Sequence, residues 1–479
     1  MKASRLWSYT LTALTTLGLA ALPAPVSAEV NWRAYAGQTI FGIIFADPDA
    51  EAYIRPETKR FTEKTGINVR MEVLDASKAR TKVDILLSGK DSSLDFHMEQ
   101  MDQKGAKLTA AGQLESLEPY LNDPSLTPAD YNYPGDWAGG CLNAERVVAG
   151  QPLNNIVYSA QAQLLFIRKD LFKKYNVKVP ATMEELEAAA KALTIDEDGD
   201  GTPDIYGFLA IPTGGPATAP FGTYLWNFGG SWFKRDASGK KVSNVNSKES
   251  VDAFEFYGRL VRKYGPKAAL TNGELENNSL FAAGKVAMLS SLNYAAGLFE
   301  DPARSRIVGK SEVIMVPRGP AGSFPNLPAK SLFLSPYSKK KNVAWLYIMY
   351  LTQKETLQRG QNQGVPTCRK SVWTDPSFKP ITETWKVSAQ LALRYGVPLA
   401  KPISIAVSEM RAAAGAVADV AVRNGDRAAI QAEADKQAAI MTKLVEETEK
   451  GLNFRDVFRE GAERMPESAQ LEPIRAIRP

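Results

Sequence analysis

"GQTIFGIIFADPDAEAYIRPETKRFTEKTGINVRMEVLDA", residues 37–76, decides the fold. The apolar run Thr39–Ala46 reads as a buried strand. A helix is expected across 50–64, and Gly66 supplies the residue that ends it. "INVRMEVL", 67–74, alternates apolar and polar, as a strand with one covered face does. Strand, helix and strand in succession form the unit of a parallel sheet. The expected class is therefore α/β.

The pattern recurs in kind further along. "AQLLFIRKDLFKKY", 162–175, runs from strand into helix. In "PATMEELEAAAKALT", 180–194, Thr182 is an N-cap and Glu185 stands three residues on, a capping box. "NVAWLYIMYLT", 342–352, reads as a buried helix, and 408–422 and 427–450 as long alanine-rich helices. A chain of 479 residues exceeds one ordinary core, so two lobes are expected. There is no tandem repeat of fixed period.

Residues 1–28 carry Lys2 and Arg5, then an apolar run, then Val26-Ser27-Ala28. That is the layout of a cleavable export signal. With no acidic residue in that segment, its loss brings the formal charge from +5 to +3. Near-balanced charge gives no basic face for nucleic acid. A soluble periplasmic protein is expected. Export favours oxidation, so Cys141 and Cys368 permit one disulfide, with two buried thiols as the alternative.

Six blocks stand in an order that resembles a known family. They are "RFTEKTGINVRMEVLD" (60–75), "AAGQLESLEPYL" (110–121), "LLFIRKDLFKKYNVKVPATMEELEAAAKAL" (164–193), "LWNFGGSWF" (225–233), "LFAAGKVAML" (280–289) and "GVPTCRKSVWTDPSF" (364–378). The chain resembles the extracellular solute-binding proteins of bacterial ABC transporters, in the sugar-binding branch that includes maltose-binding protein. The resemblance spans about residues 37–448. It implies a type II periplasmic binding fold: two Rossmann-like lobes, a hinge, and a ligand cleft between them. It suggests lobe one from 37–150 and 328–366, and lobe two from 151–327 and 367–448. A tail, 449–479, is expected to pack loosely or extend. The implied partners are a sugar-like ligand and a membrane permease, with the protein acting as a monomer and no required cofactor.

A sugar's hydroxyls call for carboxylates, amides and guanidinium groups, and its faces for aromatic rings. The resemblance points to Asp47 and Asp49 after the first strand, and to Asp102 and Gln103 after another. Glu99 falls where an aromatic residue would be expected. Gln161 falls where the family often has a binding Glu, and Tyr294 where a stacking Trp is common. Tyr224, Glu276 and Arg369 complete the set, Arg369 as a ligand or lobe-bridging residue. The plainer alternatives are helix-start acids for Asp47, Asp49 and Glu276, a surface amide for Gln161, and core aromatics for Tyr224 and Tyr294.

"DEDGDGTPD", 196–204, sets Asp196, Asp198, Asp200, Thr202 and Asp204 in a calcium-loop spacing with Gly201 at its sharp turn. Gly207 stands where a bidentate Glu is required, so a tight acidic turn is the alternative to a structural calcium site. An enzyme is disfavoured. The single histidine, His97, and two cysteines leave no zinc set and no triad beyond His97 itself. A glycosidase needs only two carboxylates, about 5–10 Å apart, and is the enzymatic alternative. A binder of a non-sugar solute is the other.

Overall fold

The computed structural model describes residues 30–47, 49–143, 145, 147–148, 150–397, 402–452 and 464–477. The expected export signal, 1–28, lies outside them. Ten strands run through the described residues: β1 Thr39–Phe45, β2 Asn68–Leu74, β3 Phe96–Glu99, β4 Ile156–Ala160, β5 Gln163–Arg168, β6 Phe233–Arg235, β7 Lys241–Ser243, β8 Met288–Leu292, β9 Ser311–Met315 and β10 Ala329–Leu334.

The opening stretch folds as its pattern dictates. β1 pairs parallel to β2 from Thr39↔Asn68 to Phe45↔Leu74. A short wide turn, Ala50–Ile54, leads into the helix Arg55–Thr65. Gly66 ends it in the left-handed region, φ 73°, its N–H donating to the Thr62 carbonyl. Gly42 is needed for packing: a Cβ there would sit 2.3 Å from the Phe96 ring.

The first sheet has the order β2-β1-β3-β10-β4. β10 runs antiparallel to both β3 and β4, because it returns from the other half of the molecule. The second sheet, β8-β5-β9, is antiparallel. Leu209 and Tyr206 add isolated parallel bridges beside β8. Only Gln161 and Ala162 separate β4 of one sheet from β5 of the other. The chain crosses back between β9 and β10. A further connection runs from Thr367, bridged to Ser159, to Val397, bridged to Asn326.

There are two buried clusters: one packs on the first sheet and reaches one face of the second through Leu164, Phe166 and Leu289, and the other covers the opposite face of the second sheet through Leu165, Ile167 and Ile314. Phe61, Phe96 and Tyr347 pack around the first sheet, against the buried helix Lys341–Thr352. Phe221, Phe254 and Tyr257 pack among the helices Gly214–Asn227 and Lys248–Tyr264, in the same core as the helix Val407–Arg423. Gly258 allows close helix approach there, since a Cβ would stand 2.4 Å from the Ala421 carbonyl oxygen. No helix among the described residues is long and apolar enough to cross a membrane.

The tail departs from expectation. Its described part, 464–477, docks rather than extends. Gln470 Nε2 donates to the Ala181 carbonyl at 2.9 Å, and Glu467 pairs with Arg318. The helix Glu472–Ala476 lies against β9 and the helix Glu383–Tyr395. Buried Met465 and Ala469 explain this: the charged segment carries its own apolar face.

Candidate ligand-binding site

Polar side chains converge where the chain crosses between sheets. Asp47 and Asp49 leave the end of β1, and Lys330 stands on β10. The Lys330 Nζ lies 2.7 Å from an Asp47 oxygen and 2.8 Å from an Asp49 oxygen. Burial works against the Lys330 charge, but Asp49 and Asp47 more than offset it and hold the pKa above the ordinary value. Burial pushes the Asp47 carboxyl up, opposed by Lys330 and reinforced by Asp49. Burial also raises Tyr158 and Tyr294; Tyr158 bonds Asp49, while Tyr294 bonds Glu274 and lies within the fields of Asp49 and Asp47.

Beside this cluster is a cavity of about 320 Å³. Gln103 enters it from the turn Met101–Gly105 behind β3, on the first-sheet side. Gln161 and Gln163 enter from the crossing. Glu274 and Asn277, on the helix Glu274–Ala282, and Arg411, on Val407–Arg423, enter from the second-sheet side. Ser290 and Ser291 of β8 complete the polar wall; Gln163 Nε2 donates to Ser290 Oγ at 3.1 Å. Arg411 is pinned by Thr218 Oγ1 at 3.2 Å and the Gly215 carbonyl at 3.1 Å. Desolvation lowers its pKa, and the Asp102 charge opposes that. No aromatic ring is among the described lining residues.

Six residues named from sequence gather here. Gln103 and Gln161 line the cavity. Asp102 is buried at the head of the same turn as Gln103, and Asp47, Asp49 and Tyr294 form the adjoining cluster. Four residues lie outside it, each for a physical reason. Glu99 is committed to Arg80 Nε at 2.9 and 3.2 Å. Tyr224 is a fully buried core ring, edge-on to Tyr257 and Phe208, with its hydroxyl toward Ser290. Glu276 is exposed and accepts from the Gly273 N–H at 3.0 Å, which is helix capping. Arg369 is 3% exposed and bonded to Asp136 at 2.7 Å, over the Trp137 ring; it is a core lock, away from the cavity. The Cys141–Cys368 disulfide, Cα atoms 6.0 Å apart, braces that same region.

Glu274, Asn277, Gln163, Arg411 and Lys330 were not singled out from sequence. Two signals existed. Gln163 follows Gln161 at strand spacing, and Arg411 stands at the head of a run of small apolar residues.

The acidic turn lies outside the cavity lining. Oxygens of Asp196, Asp198 and Asp204 come within 4.8 Å of one another. They are engaged by backbone: Asp196 accepts from Gly199 and Gly201 N–H, Asp198 from Asp200, and Asp204 from Glu197. Asp200 accepts from Thr202 N–H at 2.7 Å. These backbone donors, Gly201 first, hold the Asp196 carboxyl below its usual range.

Two sheets with flanking helices, linked by repeated crossings of the chain, match a type II periplasmic binding fold. The chain belongs to the bacterial extracellular solute-binding proteins, whose family model matches residues 47–358. It is 25% identical over 373 residues to an erythritol/L-threitol-binding protein of Mycolicibacterium smegmatis, covering 74% of this chain and 75% of that one. It superposes on a solute-binding protein of Agrobacterium radiobacter K84 in complex with ribitol, with TM-score 0.73 and 24% identity, covering 85% of this chain and 99% of that one. For a solute-binding protein of Agrobacterium vitis S4 with bound D-mannitol, the TM-score is 0.65 at 22% identity, covering 87% and 99%.

Proposed function

We propose that this protein is the exported substrate-binding subunit of an ABC importer, and that its ligand is a short polyol or closely related small sugar. The composition of the cavity carries this reading. Its wall mixes apolar residues such as Ile211, Leu292 and Pro328 with polar ones, and among the polar ones neutral amides and hydroxyls, which both donate and accept, outnumber the charged Glu274 and Arg411. An open-chain polyol offers the same dual character at every carbon. A ring sugar also needs flat aromatic surface for its C–H face, and the described lining provides none. The volume lies at the low end of the ~300–1,000 Å³ usual for small-molecule sites. The polyols named for the relatives point the same way.

The ligand would be held between the lobes and favour their closed arrangement by its differential affinity for it. The closed form would then engage a membrane permease. The protein performs no chemistry on the ligand in this reading, which the solute-binding family and relatives support. Thermal-shift measurement over erythritol, ribitol, mannitol, glucose and maltose tests it. A polyol shift with the polyol recovered intact supports the reading. Released product would instead indicate a hydrolase, and silence from every polyol and sugar a different solute.

A further inference from the structure

Resting on the polyol reading above, we propose that Asn277 is a specificity-determining residue that reads a neutral diol segment of the ligand. Asn277 is 2% exposed, yet it lines the cavity. Neither its Oδ1 nor its Nδ2 has a hydrogen-bond partner among the described residues. A buried amide left unmet is costly, and asparagine is also a weak helix former.

The next residue is an internal control. Asn278 is equally buried, but its Oδ1 receives the Ser291 hydroxyl at 2.8 Å. Two adjacent amides share one helix and one degree of burial. The protein engages Asn278, whereas both polar side-chain atoms of Asn277, a residue of the cavity wall, stay unmet.

That pair of atoms defines what it fits. Neighbouring hydroxyls donate to Oδ1 and accept from Nδ2 together. A ligand carboxylate satisfies Nδ2 but sets its own lone pairs against Oδ1. It also meets Glu274, one helical turn back on the same wall. An ammonium group satisfies Oδ1 and leaves Nδ2 facing a cation. Asn277 thus favours uncharged diols over acids and amines of similar size.

Asn277→Leu removes both polar atoms at nearly constant volume. The ligand-free variant should melt about 1 °C or more above wild type, because an unmet group has gone. Its affinity for the polyol bound by wild type should fall at least ~10-fold. Asn277→Asp should also bind more weakly, without the rise in ligand-free melting. Asn278→Leu should melt lower, as loss of a satisfied group does. If wild type binds no polyol, the polyol reading fails, and the ligand-free melts still judge Asn277. A lower melt for Asn277→Leu makes the amide part of the fold and overturns the proposal. Unchanged polyol affinity in that variant overturns it equally.

Discussion

Buried polar groups meet opposite fates in two regions. Around Arg369, the guanidinium closes on Asp136, reaches the Thr352 carbonyl and rests on Trp137, and the Cys141–Cys368 bond lies alongside. At the cavity, Asn277 is as deeply buried but is left open. The contrast is between polarity that holds the fold and, at the cavity wall, polarity that we propose is kept for a ligand. A satisfied group can be lost only at the cost of structure. An unmet group can be lost with little structural penalty, but with loss of recognition.

The largest break should come in the satisfied region. Asp136→Ala leaves Arg369 buried without its carboxylate, and should cost ~3–5 kcal/mol in urea unfolding. Ligand affinity of the protein that remains folded should stay near wild type. Strong loss of affinity at full stability would place Arg369 back among the ligand contacts.

Next in size is a pH effect at His97. It is buried against Phe333, and desolvation lowers its pKa to about 4. The unfolded chain takes up that proton near pH 6.5, so between those values it binds more protons than the fold. Stability from the neutral ring is full above pH ~6.5 and lost as pH falls toward 4, by roughly 3 kcal/mol. His97→Phe should flatten that part of the profile. An unchanged slope would assign the acid sensitivity to carboxylates.

A smaller effect is expected at the cavity. Gln161→Ala should weaken polyol binding about 10-fold while changing stability by less than about 1 kcal/mol. The reverse outcome, intact binding with a clear stability loss, would erase the distinction between the regions. The acidic turn should give the smallest effect. Its carboxylates are already engaged by backbone N–H groups. Chelation should leave melting temperature and ligand affinity unchanged in differential scanning calorimetry; a calcium-dependent rise would make the turn a structural metal site.

Much of the fold was legible because it follows local pattern. The opening strand–helix–strand unit, the Gly66 stop and the buried helix near 345 all follow from periodicity and breakers within a few residues. Asp47, Asp49, Gln103 and Gln161 were named from the family resemblance, and the structure places them near one another at the crossing between the sheets. One misreading is non-local and one is a matter of helical phase. Arg369 finds its partner 233 residues away, and nothing near it in sequence announces Asp136. Glu276 failed through helical phase: two residues turn a side chain through roughly 200°. Glu274 therefore faces the cavity, while Glu276 caps the helix outside. Whether Asn277 is met or unmet depends on three-dimensional packing that spacing does not encode.

Calorimetric titration of the wild-type protein and Gln161→Ala with erythritol, ribitol, mannitol and maltose tests the central claim most directly. The account predicts a one-to-one complex of wild type with at least one polyol, weakened about 10-fold in the variant, with maltose binding worse. Preferred binding of maltose, or polyol binding indifferent to Gln161, would contradict it.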